Sequence, residues 1–293
     1  MKEQHLAGVQ YLETVTALLQ RARRAHPTKG LFEAADLQWW WRTPRSTDSL
    51  GQLFWFDDHG RPEAAVIATA WSSHTSLNPI VMPGATSEWV AHVVDRGLAH
   101  ARDSGIGAIE LEVDRTDDVL REVLVGHGFT IEEEDAMVEA WLPADARPEV
   151  SALHEDYRLS SRSETMPGPH HMINRSGPDV AQRLLQTSLY RPELDLVILD
   201  RDGNPAAYGL FWYDPETATG LVEPMRTEDA HQRRGLARHV LTAGIDLLAR
   251  AGAERIKICF EPSNPASSGL YLSVGFEPVK QTVVFSGDTG NRT

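Results

Sequence analysis

Residues 97–113, GLAHARDSGIGAIELEV, and residues 244–260, GIDLLARAGAERIKICF, follow one plan at an offset of 147 positions, that of Gly105 from Gly252. Each closes a stretch of helical spacing, passes that glycine and then alternates. Ile109, Leu111 and Val113 interleave with Glu110 and Glu112; Ile256, Ile258 and Phe260 interleave with Arg255, Lys257 and Cys259. A glycine just past a helix suits a left-handed cap, and period-two alternation marks a half-buried strand. Phe129 in VGHGF and Phe276 in LSVGF keep the same offset. Upstream, 53–71 and 196–212 both read strand, polar turn with glycine, strand, with Gly60 and Gly203 143 positions apart. Each half thus predicts helices, a strand hairpin, one long helix, a strand, a helix and a last strand. That is an α/β unit with a mixed sheet, used twice. The polar, proline-bearing stretch at 142–157 suggests units at 1–145 and 157–293, joined by a linker at 146–156.

Composition narrows the function. The chain has 293 residues, 41% hydrophobic and 24% charged, enough for two cores. No apolar run reaches the roughly eighteen residues that span a bilayer, and MKEQHLAGVQYLETV lacks a secretory apolar region. Cys259 is the only cysteine, which rules out an internal disulfide and a cysteine-rich metal site. The expectation is a cytoplasmic protein, monomer or homodimer, that does not bind membranes. A net charge of −14 argues against nucleic acid as a partner and suits a cationic small molecule.

The second half carries the densest chemistry. TGLVEPMRT reads as a strand interrupted by Pro224, which demands an edge, a bulge or a place where neighbouring strands part. Next come Gln232, Arg233, Arg234, Gly235, Leu236 and Ala237, where helical spacing through Leu236, Val240, Gly244 and Leu247 begins. Unpaired amides and the positive dipole end at such a helix start attract anions. Gly235 and the small Ala237 allow a close backbone approach, and Arg233 and Arg234 add charge-assisted hydrogen bonds. An ordinary basic first turn is the competing reading. Shifted by 147, the same six positions in the first half are Ala85, Thr86, Ser87, Glu88, Trp89 and Val90, without arginine or glycine and with an acid. Asn264 maps to Asp117 and Tyr271 to Leu124. The first copy is therefore expected to keep the fold, lose the phosphate cradle and help to shape an acceptor pocket.

Q/R-x-x-G-x-G/A between a strand and a helix, followed by NPASSGLYLSVGF at 264–276, resembles the GNAT superfamily of N-acyltransferases. Ser267 departs from the family's usual alanine. The resemblance covers roughly residues 150–286, and the first half only through the repeat. It implies two tandem GNAT-like domains, each a twisted mixed sheet flanked by helices, with acetyl-CoA as co-substrate and no metal. By resemblance, the 232–237 loop holds the pyrophosphate, Met225, Arg226 and Thr227 lie along the pantetheine arm, and Asn264 contacts that arm. Glu223 is the candidate base for a primary amine, and Tyr271 the acid that protonates the departing thiolate. The implied reaction is direct attack by a small-molecule amine in a ternary complex. Acetylation of a cysteinyl sugar amine and a non-catalytic acetyl-CoA sensor are the alternatives.

Other features read more plainly. Cys259 suits buried packing, and Asn264 also suits a helix cap. His170 and His171, with His154, lack an acidic partner at ligand spacing. QWWW at 38–41 suits core packing, Tyr190 and Trp212 are candidate acceptor-pocket residues, and EEED at 132–135 is expected on a solvated hairpin edge.

Overall fold

The computed structural model describes residues 1–132 and 137–290. The chain begins with β1 (Lys2–Leu6), α1 (Gly8–Ala25) and α2 (Ala34–Trp40). Strands β2 (Gln52–Phe56), β3 (Pro62–Ala70) and β4 (Thr75–Val81) lead to α3 (Ser87–Asp103), β5 (Ala108–Asp114), α4 (Asp118–Gly126) and β6 (Thr130–Glu132). Then come β7 (Val138–Pro143), β8 (Arg158–Ser161) and three short helices, α5 (Arg162–Thr165), α6 (Ile173–Ser176) and α7 (Val180–Leu184). Strands β9 (Asp195–Leu199), β10 (Pro205–Asp214) and β11 (Thr219–Thr227) precede α8 (Leu236–Ala251), β12 (Arg255–Phe260), α9 (Pro265–Val274) and β13 (Glu277–Asp288). Of the acidic run at 132–135, residues 133–135 lie outside the described residues.

Two compact units result, one of residues 1–37, 44–137 and 280–293, the other of 38–43 and 138–279. In the first, the sheet order is β1-β2-β3-β4-β5-β13, with β6 on the far side of β13. In the second it is β7-β12-β11-β10-β9-β8. β4–β5 and β11–β12 are parallel and the remaining pairs antiparallel, so both sheets are mixed.

The long helix of each unit packs on its sheet through a repeated glycine. A Cβ on Gly97 of α3 would come within 2.9 Å of Val66 on β3, and one on Gly244 of α8 would enter the Phe211 ring on β10. In the second unit Leu236, Val240, Gly244 and Leu248 form the buried face of α8, over Phe211, Val222, Ile256 and Ile258. Gly252 caps α8 at φ 109°, and the Ala253 amide returns to the Leu248 carbonyl at 3.0 Å. The first core is built the same way, with Val94, Leu98 and Ala101 of α3 over Val66, Leu111 and Val113.

Two expectations change. The helices ahead of β9 are only four or five residues long, because MPGPHHMINRSGPD is broken by proline and glycine and lacks a continuous apolar stripe. Lys257, expected on the polar side of its strand, is fully buried with its ammonium 3.2 Å from Glu139 of β7, while Cys259 is exposed rather than buried. Pairing with β7 brings in Glu139, whose other oxygen accepts the Trp141 indole N–H at 2.7 Å. A cation without that carboxylate would be too costly to desolvate.

Candidate active site

β11 and β12 pair in parallel from Thr219↔Arg255 to Val222↔Ile258, and the pairing stops there. The next residues are Glu223 and Pro224, opposite a register shift between Gly209 and Phe211 of β10. Proline has no amide to donate, so the ladder ends where the sequence requires it. Among the described residues β11 has no ladder partner in β12 from Glu223 to Thr227. The Glu223 carbonyl accepts the indole N–H of Trp212 at 2.8 Å. Trp212 is 1% exposed, so this expected pocket residue instead holds the irregular strand from behind. Gly209 makes room for the bulge, since a Cβ there would lie 2.7 Å from the Met225 sulfur.

After β11 the chain passes a short turn at Asp229–His231 and reaches the loop before α8. His231 Nδ1 lies 3.0 Å from the Tyr157 hydroxyl, and Gln232 Nε2 donates to Asp229 at 3.1 Å. Arg233 adopts φ 61° and Gly235 φ 78°, two positive-φ residues two positions apart, the kind of backbone that can present neighbouring amides to an anion. Nothing lies within 4 Å of a Cβ built on Gly235, which leaves the space beside it open. Gln232, Arg233, Arg234 and Gly235 are exposed, whereas Leu236 is buried and offers this side only its amide. No side chain caps the start of α8.

The equivalent place in the first unit differs. Thr86 Oγ1 accepts from the Trp89 amide at 3.3 Å, and Glu88 stands in the first turn. Its own backbone amide and the Thr86 hydroxyl hold the Glu88 carboxyl below the usual glutamate range, so it is ionised near neutrality.

Asn264 and Tyr271 come from α9. Asn264 Oδ1 accepts from the Ser267 amide at 3.2 Å and caps the helix. Tyr271 is 7% exposed, its ring against Phe260 and Phe276 at centroid distances of 5.6 and 6.4 Å. Burial, and then the charge of Glu223, push its hydroxyl up to about 12. Glu223 and Tyr271, 48 positions apart in the chain, thus influence each other across the parted strands. Arg238 ties α8 to α9 by donating to Ser273 Oγ at 2.8 Å, a contact the sequence reading missed. The Arg226 side chain turns to Glu228 and Asp229, at 3.7 and 3.3 Å, and the Thr227 hydroxyl is buried without a hydrogen-bond partner among the described residues.

The acid absent near His170 and His171 in sequence is supplied by Asp195, at the start of β9. His170 Nε2 lies 3.0 Å from Asp195 Oδ2, His171 Nε2 lies 3.0 Å from Oδ1, and Tyr190 donates to Oδ2 at 2.7 Å. Burial alone would raise the Asp195 carboxyl, but the hydrogen bond from His170 and the close approach of His171 outweigh it and hold it well below the usual range. The Met172 amide donates to His170 Nδ1 at 3.1 Å, so Nε2 carries the proton given to Asp195. Both ring nitrogens of His171 and Asp195 Oδ1 are buried without a hydrogen-bond partner among the described residues, and the ligand atoms of the three side chains lie within 4.8 Å of one another. Tyr190 stacks edge-on with Trp212 at 6.2 Å, which links this cluster to the strand bearing Glu223. QWWW is also accounted for by packing: Trp39 and Trp41 are buried, and Gln38 binds Ser188 and the Leu189 amide at 2.9 Å each.

The model of the acetyltransferase (GNAT) family matches residues 152–276. Mycothiol acetyltransferase of Beutenbergia cavernae is 31% identical over 91 residues, a match that spans 31% of this chain and 30% of that protein. The enzyme of the same name from Clavibacter michiganensis subsp. michiganensis is 25% identical over 228 residues, 74% of each chain. A tandem GNAT protein from the clavulanic acid biosynthesis pathway superposes with a TM-score of 0.72 at 14% identity, covering 100% of this chain and 99% of that one. A GCN5-related N-acetyltransferase from Sphaerobacter thermophilus gives 0.62 at 14% identity, over 98% and 95% of the chains. Residues 152–276 match the acetyltransferase (GNAT) family model, and the chain shares its fold with that tandem GNAT protein.

Proposed function

We propose that the second unit transfers an acetyl group from acetyl-CoA to a primary amine, and that the first unit keeps the fold without the diphosphate cradle. One observation carries this reading. The start of α8 is uncapped, opened by two left-handed residues and flanked by Arg233 and Arg234, beside strands that part at Glu223. Its counterpart is capped by Thr86 and bears Glu88. Amides of Gly235, Leu236 and Ala237 would hold the diphosphate, with the arginine side chains supplying charge-assisted hydrogen bonds. Met225, Arg226 and Thr227 would lie along the pantetheine arm through their main chain, and Asn264 beside it.

Acetyl-CoA supplies an activated acyl group as a thioester. The chain's part is to prepare the amine and receive the products. An alkylamine has a pKa of about 10.4 in water, so a base must take its proton before it attacks. Glu223 does this, directly or through one water. A backbone N–H near Met225 stabilises the oxygen that gains charge, a contribution of about 3 kcal/mol for one donor. Tyr271, still protonated at neutral pH, gives its proton to the leaving thiolate. Holding both reactants in one cleft supplies the remaining acceleration.

The relatives named mycothiol acetyltransferase make the amine of a cysteinyl sugar the first acceptor to test. The experiment is release of CoA thiol with that amine and a panel of polyamines, amino acids and amino sugars. The reading requires turnover that Tyr271→Phe and Glu223→Gln each reduce. Tight acetyl-CoA binding without transfer to any amine would favour a sensor instead.

A further inference from the structure

One buried polar cluster of the second unit takes no part in the proposed acetyl transfer. The side chains of His170, His171 and Asp195 are 1%, 4% and 0% exposed. His171 is the anomaly among them. Its Nε2 stands 3.0 Å from Asp195 Oδ1, close enough for a hydrogen bond but not aligned for one, and its Nδ1 has no partner either among the described residues. A neutral imidazole has one N–H and one lone pair, and burying both unpaired is costly. Orphaned groups of this kind call for a further partner, and a histidine beside a carboxylate is suited to a metal ion.

Spacing decides between an ion and a water. A water joining the two groups by hydrogen bonds of about 2.8 Å would hold its partners about 4.6 Å apart. Metal bonds of about 2.1 Å hold adjacent ligand atoms about 3.0–3.4 Å apart. The 3.0 Å between His171 Nε2 and Asp195 Oδ1 matches the metal. Tyr190 donates to Asp195 Oδ2 at 2.7 Å, the kind of outer hydrogen bond that fixes a ligating carboxylate. The segment that carries both histidines is pinned by Arg162, which donates to the Gly168 and Pro169 carbonyls at 2.8 and 3.2 Å.

We propose that a divalent transition-metal ion of the zinc type, suited to imidazole and carboxylate, binds to His170 Nε2, His171 Nε2 and Asp195. One ligand atom from each residue already lies within 4.8 Å of the others. His170 joins by moving its Nε2 proton to Nδ1, so its ring stays neutral and the Met172 amide gives up one hydrogen bond. The ion ties the segment between α5 and α6 to the start of β9. Its ligands are independent of the 232–237 loop, and acetyl transfer does not require it.

Metal analysis of the full chain, equilibrated with zinc and freed of the excess, tests this together with visible absorption in cobalt(II). The expected result is about one equivalent of zinc per chain and cobalt d–d bands of an imidazole-bound ion. Zinc at a hundredfold above Kd should raise the melting temperature by at least about 5 °C. His171→Ala should remove both the bound zinc and the shift; the ring nitrogens it deletes make no hydrogen bond that folding would miss. Tyr190→Phe should weaken zinc about tenfold. His154→Ala, at an exposed histidine outside the cluster, and Gly235→Glu should leave zinc binding unchanged. A wild type that retains no zinc overturns the proposal. So does full retention in His171→Ala, or loss in His154→Ala. If Tyr190→Phe does not fold, His171→Ala and the wild-type metal content decide.

Discussion

Replacing Gly235 by alanine separates the cost of backbone strain from the cost of a blocked cradle. The residue sits at φ 78°, where an L side chain loses roughly 1–2 kcal/mol. A Cβ there meets nothing within 4 Å, so no packing cost is added to the strain. Destabilisation of that size lowers the melting temperature by about 2–8 °C for a unit of this length. On the proposed reading binding should suffer far more, because the methyl group would stand where the diphosphate approaches the amides. Loss of two charge-assisted hydrogen bonds, at about 1.5 kcal/mol each, predicts acetyl-CoA affinity lower by about two orders of magnitude. Gly235→Glu adds like-charge repulsion and should remove measurable binding. Calorimetric titration with acetyl-CoA, run beside thermal denaturation without ligand, reads the two effects independently. Affinity unchanged within threefold in a folded Gly235→Ala protein would refute the reasoning.

Tyr271→Phe should lower kcat by about a hundredfold while leaving acetyl-CoA affinity intact, the pattern expected for loss of a general acid. Its hydroxyl is raised from 10.0 to about 12, so between those values the folded state keeps a proton that the unfolded state has released. Stability should therefore fall as pH rises through that window, by about 2–3 kcal/mol in all, and less steeply in Tyr271→Phe; urea denaturation from pH 9 to 12 measures it. Gly244→Ala drives a methyl group into the Phe211 ring and should cost about 1–3 kcal/mol, with recovery when Phe211→Leu makes space; denaturation of the single and double variants checks this. Trp212→Phe leaves the Glu223 carbonyl without its donor, which should cost about 1–3 kcal/mol by denaturation and reduce turnover more than acetyl-CoA affinity.

The parts of the fold that sequence revealed are those fixed by local chemistry. The glycines closing α3 and α8 ended those helices where φ had to be positive, and Pro224 marked the strand that parts from its neighbour. Gly97 and Gly244, also 147 positions apart, occupy matching helix–strand contacts. What stayed hidden depends on distant partners. Alternation in 138–143 and 280–288 shows which faces are buried but not which sheet receives the strand, because register and neighbour are chosen by tertiary pairing. His170 and His171 lie some two dozen residues before Asp195, and only the turn into β9 brings them together. The one local hint was an acid between Leu194 and Leu196, buried against its ordinary preference. For Arg226, a side chain committed to Glu228 and Asp229 could not be told in advance from one reaching a ligand, since all three are polar residues at a strand end.

Backbone amide exchange of the full chain with and without CoA addresses the asymmetry between the two helix starts most directly. Slower exchange at 233–238 with no change at 85–90 is the expected result. Protection at 85–90, or none at 233–238 under saturating CoA, would contradict it.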